Sequence, residues 1–275
     1  MPASLTGVRL KLDRAEDHLD ALSAELREWV EAKPQALTTQ LNPIDQSYSV
    51  IFKQEPLPEN WGVKLGDVVH NMRSSLDHLV AQLVLLAGKA VHENHQFPIF
   101  NKPNDWMGKV VKPPKQRKRG WLDFIDRDHV AMIEALQPYQ TTTGLPSLGM
   151  LRRFSNADKH RLIHAATYNL TAKPQLGGNM TFPLAIREVV YKDPGTPLED
   201  GTEIARFRTG DLLFPIDPVT GEAQTPSNAE MNVRADLKMT AMFGEPGKED
   251  TRIGDFLRCL SEIRGIVDVF ATDFP

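Results

Sequence analysis

Cysteine is almost absent from this sequence, because Cys259 is the one cysteine among 275 residues. A single cysteine forms no intrachain disulfide and cannot complete a zinc site built from several cysteines, which is typical of proteins in a reducing compartment. We therefore expect a cytoplasmic protein. Cys259 lies beside Leu260 on an apolar helical face, and this position predicts an inert, buried thiol.

The sequence also has little that would direct it to a membrane. Charged residues at Lys11, Asp13, Arg14, Glu16 and Asp17 interrupt the first thirty residues, which leaves no apolar run as long as a signal peptide or a membrane span. We expect neither secretion nor membrane insertion. Gly-rich phosphate-binding loops, nucleophile elbows, internal repeats and low-complexity tracts are absent as well.

The charge balance excludes a further class of protein. The 36 acidic and 32 basic side chains leave a formal charge of -4 at pH 7, so the protein does not coat polyanions with its whole surface. Contact with a nucleic acid must be local. Residues 102–119 form the one strongly basic stretch, where seven basic residues accompany Asp105 alone and Pro113 and Pro114 favour an extended loop.

Three segments have the apolar spacing of amphipathic helices. In residues 5–29, 65–87 and 253–270, apolar side chains recur at steps of three and four, which predicts long helices with matched seams. The middle segment is nearly apolar all round in its last two turns, so it should be the central helix, packed on the first and the last. Gly88 is a natural stop for it. Weaker helical patterns occur at 128–136 and 148–154.

Alternating or short apolar runs predict strands elsewhere. One strand is centred on Val50, and short runs follow at 182–191, 204–208 and 212–214. The longest alternation covers residues 231–243 and predicts a long, half-buried antiparallel strand. The sequence thus predicts an α+β fold, in which a helical bundle of the first, central and C-terminal helices packs with a mainly antiparallel β-sheet. It would form one compact domain over 1–275, with a helical part at 1–165 and 248–275 and a β-rich insert at 166–244.

The central helix carries a polar stripe. His70, Arg73, Ser74 and Asp77 fall within about 100° of one another, because each helical residue turns by about 100°. Asp77, one turn after Arg73, can hold the guanidinium, and the neighbouring His78 can titrate near neutral pH. The stripe combines an acid, a base and a cation. Its alternatives are the solvated side of an amphipathic helix and a polar network inside the bundle.

A second polar cluster follows later in the chain. It consists of Asp158, Lys159, His160 and Arg161. Asn156 can cap a helix start with Asp158 in the first turn, but capping does not explain the three consecutive cations. Neighbouring cations repel one another unless an anion lies opposite. We therefore expect Asp77 or Asp158 to pair with a cation of the other cluster.

Arg73 and His78, with four residues between them, match a short motif of an arginine, four to six residues and a histidine. By this motif the helical part resembles the HEPN superfamily, helical proteins that include many metal-independent ribonucleases of toxin and anti-phage systems. The resemblance implies a homodimer that brings Arg73 and His78 of two protomers to a shared cleft, without metal or cofactor. The combination of residues 70–79 with residues 156–161 also resembles an uncharacterised group of bacterial and phage proteins. This second resemblance points to no particular activity.

As an endoribonuclease, the protein would use His78 or His160 as general base on a 2′-hydroxyl and the other as acid, while Arg73 and Lys159 stabilise the phosphorane charge. The candidate catalytic residues are then Arg73, His78, His70, Asp77, Asp158, Lys159 and His160. The candidate RNA-binding residues are Lys112, Lys115, Arg117, Lys118 and Arg119. Trp106 and Trp121 lie near enough in the sequence to stack on bases.

The alternative function is a non-catalytic binding or assembly protein. Its polar residues would lock the helices together, and its first helix would supply a dimer seam. The basic stretch would then be a solvated surface loop. A metal site at His92, Glu93 and His95 is a weaker alternative, because their spacing matches no standard zinc motif and a solvated loop also explains them.

Overall fold

A computed structural model of the protein describes residues 2–32, 35–42, 44–45, 47–55, 58, 60–111, 120–160, 164–166, 168–170, 175–176, 186–193, 197–209, 233–234, 237–238, 242–244 and 251–275. These residues contain six α-helices, one π-helical turn and twelve β-strands. The strand pairs in the described residues are antiparallel. The predicted α+β class is therefore confirmed.

The chain divides into two compact units. The first contains residues 1–26, 58–166 and 242–275, and the second contains residues 27–57 and 167–241. Residues 27–57, which the sequence-based division counts with the helical part, belong to the β-rich unit. A single domain over residues 1–275 stays a prediction.

The first unit is mainly helical. Its helices are α1 at Thr6–Glu31, whose residues from Arg27 onward belong to the second unit, α2 at Asn60–Leu86, α3 at Pro103–Trp106, α4 at Arg127–Ala135, α5 at Pro146–His160 and α6 at Ile253–Ala271. A π-helical turn at Met107–Val111 follows α3. The seam of α1 from Leu5 to Leu26 and the apolar faces of α2 and α6 are buried, which confirms the three long helices. Within the described ranges, no helix combines the length and the apolar character that crossing a membrane requires.

Helix α2 is central in this unit. It packs against α5 and α6, and side-chain bonds join one of its ends to α1 and the other to Ser4, just before α1. Gln82 accepts a hydrogen bond from the Ser4 backbone N–H, and Lys64 pairs with Glu25. The predicted packing on the first and last helices is confirmed. At the end of α2, Gly88 adopts a left-handed φ of +70°, which glycine tolerates without strain.

Helix α5 starts earlier than predicted and has no break. Pro146 occupies its first position, where proline is well tolerated, and the helix continues to His160. Asn156 is therefore an interior residue instead of an N-cap, and Asp158 lies in the last turn instead of the first. Both predictions were wrong because capping residues carry a local signal, whereas the turns before Asn156 already supply helical hydrogen-bond partners.

The strands are given by their described residues. They are β1 at Gln35–Asn42, β2 at Ser47–Gln54, β3 at His164–Ala166, β4 at Tyr168–Leu170, β5 at Gln175–Leu176, β6 at Ile186–Tyr191, β7 at Pro197–Leu198, β8 at Glu203–Thr209, β9 at Val233–Arg234, β10 at Leu237–Lys238, β11 at Met242–Gly244 and β12 at Thr251–Arg252. In the first unit, β11 lies between β12 and β3 in a three-stranded sheet. This sheet holds the start of α6 next to the segment that follows α5.

The strand predicted at residues 231–243 is described only in part. Its described parts are β9, β10 and β11, which are extended and pair antiparallel with β5, β4 and β3. Alternation of apolar and polar side chains predicts an extended backbone, and these parts agree with it. Residues 231–232, 235–236 and 239–241 lie outside the described residues, so one strand over the whole stretch stays a prediction.

The second unit contains a four-stranded sheet with the strand order β1-β2-β8-β6. Strand β2 confirms the strand predicted around Val50, and it pairs with the later strand β8. The sheet's apolar core consists of Val50, Phe52, Leu198, Ile204, Ala205 and Phe207. Strand β1 was not predicted, and the runs at 182–185 and 212–214 lie outside the described residues.

Candidate functional site

The polar stripe of α2 is built around the pair of Arg73 and Asp77. One helical turn separates them, and Arg73 Nη2 donates a hydrogen bond of 2.9 Å to Asp77 Oδ1, as predicted. The side chains are 16% and 33% exposed. The pair is thus shielded from much of the solvent that weakens a surface ion pair.

Both members of this pair also bind the backbone of a residue outside the helix. Arg73 Nη2 donates to the Phe97 carbonyl oxygen at 2.6 Å, and the Phe97 N–H donates to Asp77 Oδ1 at 2.8 Å. Phe97 is buried and lies in a stretch that is neither helix nor strand. A buried backbone outside secondary structure needs side-chain partners. Arg73 and Asp77 supply them.

Gln137, just after α4, binds the residues that follow Phe97. Its Oε1 accepts a hydrogen bond of 2.9 Å from the Phe100 N–H, and its Nε2 donates to the carbonyl oxygens of Pro98 and Ile133 at 2.9 and 3.0 Å. Residues 97–100 are thus held by three polar side chains, and we call them the clamped segment. Sequence reasoning missed Gln137, because a single glutamine near a helix end carries no pattern that marks it as buried.

The electrostatics of Arg73 reflect its burial. Burial lowers the pKa of the Arg73 guanidinium, Asp77 raises it, and the charge of Arg152 lowers it further. Arginine nevertheless stays charged in proteins. Asp77 therefore neutralises a cation that would be costly to bury alone. The guanidinium is committed to contacts within the chain.

The two histidines of α2 lie apart from this pair. The side chains of His70 and His78 are exposed, and a regular helix places His78 about 140° from Arg73. Partial burial lowers the pKa of His78, Lys11 lowers it further, and Asp77 opposes both. His78 is therefore uncharged at neutral pH and can accept a proton. Within one protomer, Arg73 and His78 do not converge on a common point.

The second predicted cluster lies in the last turn of α5, next to α2. The Asp158 carboxylate approaches Gly66 of α2 so closely that a Cβ atom there would overlap it. Glycine at this position allows α5 to pack closely on α2. The side chains of Lys159 and His160 and the whole of Arg161 lie outside the described residues. The predicted pairing of Asp77 or Asp158 with a cation of the other cluster stays a prediction.

Aromatic rings and cations surround Phe100 at the end of the clamped segment. Trp121 stacks on the Phe100 ring with 5.3 Å between centroids, and Trp106 meets it edge-on at 6.5 Å. Lys109 Nζ and Arg152 Cζ lie 5.3 and 5.8 Å from the ring centroid. Neither cation has a carboxylate partner in the part of the chain that the structure describes. We call Lys109, Arg152 and the Phe100 ring the cation face.

Two expectations for this region were wrong. Trp106 is only 1% exposed, so it does not stack on bases. Trp121 is half-buried and stacks on Phe100, and its stacking on bases stays a prediction. Residues 103–111 form α3 and the π-helical turn instead of an extended loop, because Pro103 at the first position and Asp105 in the first turn favour a helix. The predicted RNA-binding cations lie outside the described residues. They are Lys112, Lys115, Arg117, Lys118 and Arg119.

A different aromatic residue is exposed in the turn at residues 120–125. Phe124 has a left-handed φ of +69°, which residues with a Cβ atom rarely adopt, and it is 52% exposed. The rings of His92 and His95 stack at 3.5 Å, and each meets the Phe124 ring at a steep angle, 6.3 Å away. Sequence reasoning missed Phe124, because nothing in an isolated phenylalanine predicts its φ or its exposure.

Three of the four ring nitrogens of His92 and His95 make hydrogen bonds. His95 Nδ1 accepts the His92 N–H at 3.0 Å, and His92 Nδ1 accepts the Asn94 N–H at 3.2 Å. His95 Nε2 then carries the proton and donates to the Asp123 carbonyl oxygen at 3.0 Å. These bonds occupy both Nδ1 lone pairs and the His95 Nε2 proton, which leaves His92 Nε2 as the ring nitrogen of this pair that a metal could bind. Over the described ranges, no group of three or more potential metal ligands comes together.

The prediction for Cys259 is confirmed. Its side chain is fully buried in α6, and burial raises the pKa of the thiol to about 12. Its Sγ donates to the Ser147 carbonyl oxygen at 3.6 Å. The thiol is uncharged and shielded, so it is a poor nucleophile.

Comparisons of the chain with protein-family models, with curated proteins and with solved structures found no match. The resemblance to the HEPN motif therefore rests on Arg73 and His78 alone. What the geometry adds is a division of roles. Arg73 and Asp77 hold the interior. In the cation face, Lys109 is exposed, Arg152 is half-buried and the Phe100 ring beneath them is buried, and Phe124 is exposed.

Proposed function

We propose that the protein binds RNA through its cation face together with the basic segment at residues 112–119, and that Arg73 and Asp77 stabilise the fold. One observation carries this proposal. Lys109 and Arg152 contact the same ring and have no carboxylate partner in the described residues, and Lys109 belongs to the most basic stretch of an acidic protein. Neighbouring cations are unfavourable unless an anion joins them. The phosphates of an RNA strand would supply that anion.

The contacts of Arg73 support the structural half of the proposal. A catalytic arginine must be able to contact the phosphate in the transition state. The Arg73 guanidinium instead binds Asp77 and the Phe97 carbonyl oxygen, and most of its surface is covered. The proposal therefore favours a binding protein over a nuclease. It places this protein in the cytoplasm, where the lone buried cysteine would stay reduced and RNA is abundant.

The salt dependence of RNA binding tests the proposal. Affinity for a labelled single-stranded RNA would be measured by fluorescence anisotropy over a range of salt concentrations. Each phosphate contact contributes about 0.7 to the slope of log K against log salt for a single strand. Replacing both Lys109 and Arg152 by Gln should therefore weaken binding and lower the slope by up to about 1.4. Replacing the five cations of residues 112–119 by Gln should lower it further.

A charge-matched control separates a local site from the total charge. Arg14 and Arg27 are exposed in α1 and form no ion pair with a described carboxylate. Replacing both by Gln changes the net charge by the same amount and should leave affinity and slope nearly unchanged. An equal loss in this control, or no binding by the unchanged protein, would show the proposal to be wrong.

A HEPN-like, metal-independent endoribonuclease is the second candidate, favoured by the uncharged, exposed His78. His78 could accept a proton from a 2′-hydroxyl at neutral pH. Because Arg73 and His78 diverge within one protomer, cleavage would need a homodimer that combines residues of two chains. His70 and Asp158, with Lys159 and His160 of α5, would complete the predicted catalytic set.

The same RNA samples distinguish binding from cleavage. After incubation in chelator, a denaturing gel would show fragments if the protein is a nuclease. His78→Ala should then abolish cleavage without a change in the circular dichroism spectrum, because His78 is exposed. Intact RNA at high protein concentration, in a preparation that light scattering shows to be dimeric, would exclude this candidate and leave RNA binding.

A further inference from the structure

Phe124 has two features that reduce stability. A residue with a Cβ atom at a φ of +69° is strained, because the Cβ atom crowds the neighbouring carbonyl oxygen. Its ring is 52% exposed, the largest exposed fraction among the Phe and Trp side chains that the structure describes. Strained residues of this kind persist where the surrounding structure holds them and are frequent at functional sites.

The turn around Phe124 is firmly held. The Gly120 N–H donates to Asp123 Oδ2 at 2.6 Å, and the Asp123 carbonyl oxygen accepts a hydrogen bond from His95. Leu122 is buried in the same turn. The rings of His92 and His95 both contact the Phe124 ring at a steep angle. These contacts restrict the Phe124 side chain, which reduces the entropy lost when a partner binds.

The same turn contributes to the cation face. Trp121 stacks on Phe100, the ring that also carries Lys109 and Arg152. The turn thus joins the exposed Phe124 to the cations through Trp121 and Phe100. An exposed aromatic ring combined with cations can bind single-stranded nucleic acid, because the cations attract phosphates and the ring stacks on a base. A base in a duplex is already stacked and paired, so this combination favours single strands.

Resting on the proposed RNA binding, we infer that Phe124 is the stacking platform for an unpaired base of a single-stranded RNA whose phosphates lie on the cation face. This assigns the recognition of the base to a residue outside the motif of Arg73 and His78. Stacking on one aromatic ring tolerates every base, so the site should discriminate single strands from duplexes more than it discriminates sequences.

The test compares Phe124→Asn with Phe124→Trp in the full chain. Asn tolerates the left-handed backbone but has no ring, whereas Trp keeps a ring. Affinity would be measured for a single-stranded RNA and for a strand of the same length with abasic sites. Phe124→Asn should weaken binding of the normal strand about 10-fold and remove its advantage over the abasic strand. Its salt slope should not change, and Phe124→Trp should bind as the unchanged protein does. Leu10→Asn, at an exposed apolar position of α1, is the control and should have no effect.

The outcomes separate the two proposals. If the unchanged protein binds RNA and Phe124→Asn binds equally well, the inference is wrong while RNA binding stands. If the unchanged protein does not bind RNA, both are wrong. If Phe124→Asn instead converts a dimer to a monomer in light scattering, the ring covers a second copy of the chain, and the inference is wrong for that reason.

Discussion

In the sequence, the clamped segment precedes α3 and the basic stretch, and the turn that contains Phe124 follows them. The backbones of the two regions differ in how well the fold accommodates them. In the clamped segment, Arg73, Asp77 and Gln137 satisfy the buried backbone groups of Phe97, Pro98 and Phe100. In the turn, the backbone of Phe124 is strained and its ring faces solvent. The clamped segment is thus held by charged and polar side chains. The turn instead contains a phenylalanine whose backbone angle and exposure are both unusual for that residue type.

The difference shows that chemical type alone is a poor guide to a functional residue. Arginine, aspartate and glutamine are strong donors and acceptors, and a folded chain needs such groups wherever buried backbone lacks a helix or a strand. Phenylalanine is chemically plain. Its exposure and strain are informative because folding alone gives no reason for either.

The largest expected effect is on the clamped segment. Asp77→Ala removes the carboxylate that neutralises Arg73 and accepts the Phe97 N–H, so it leaves a poorly solvated cation and an unsatisfied donor. We expect the free energy of unfolding to fall by about 2 to 3 kcal/mol, less than for a fully buried pair because Asp77 is partly exposed. Urea denaturation followed by circular dichroism measures this change.

Asp67 is the matched control for this prediction. It lies in the same helix, and its side chain is exposed. Asp67→Ala should change the free energy of unfolding by no more than about 0.5 kcal/mol. If the two variants were equally stable, Arg73 and Asp77 would not clamp the segment, and the guanidinium would again be a candidate for catalysis.

The second prediction concerns the strain at Phe124. In most positions Ala is more stable than Gly, because Gly loses more conformational entropy on folding. At a left-handed φ the order should reverse, so Phe124→Gly should be more stable than Phe124→Ala by about 1 kcal/mol. Comparing two variants that both lack the ring removes the contribution of its contacts with His92 and His95.

Ala131, exposed in α4, is the control, because Ala should be more stable than Gly at an ordinary helical position. Ala131→Gly should lower the free energy of unfolding by about 1 kcal/mol. Equal stability of Phe124→Gly and Phe124→Ala would mean that the turn relaxes without the ring, and the contrast between the two regions would lose its energetic basis.

The sequence predicts what depends on neighbouring residues and misses what depends on distant ones. The three long helices were predicted because apolar periodicity is local, and the contact of Arg73 with Asp77 was predicted because it spans one turn. The same reasoning failed where partners come from elsewhere in the chain. Phe97 meets Asp77 across twenty residues and Gln137 meets Phe100 across thirty-seven. The pairing partners of β9, β10 and β11 likewise lie far from them in the sequence, at β5, β4 and β3.

The smallest expected effect is the pH dependence that His78 contributes. Partial burial and Lys11 of α1 lower the pKa of His78 below its ordinary value of 6.5, against the attraction of Asp77 on its own helix. The unfolded chain therefore binds the proton more readily than the folded chain does. Well above pH 6.5, His78 is uncharged in both states and does not affect the free energy of unfolding. As the pH falls through 6.5 toward the pKa of the folded state, protonation of the unfolded chain lowers the free energy of unfolding. The ordinary histidine pKa is about 6.5, so the effect should appear between about pH 7.5 and about pH 5.5. Over this range, the free energy of unfolding of His78→Gln should fall less than that of the unchanged protein.

Urea midpoints at several pH values would measure this difference, and a proton NMR titration of the His78 ring would measure the pKa itself. Lys11→Gln removes the repulsive charge and should raise the pKa of His78, which brings the stability curve closer to that of His78→Gln. Parallel curves for the unchanged protein and His78→Gln would mean that His78 is fully solvated. In that case the fold would not lower the pKa of His78. The lowered pKa is the observation that favours cleavage over binding, so the nuclease candidate would lose its support.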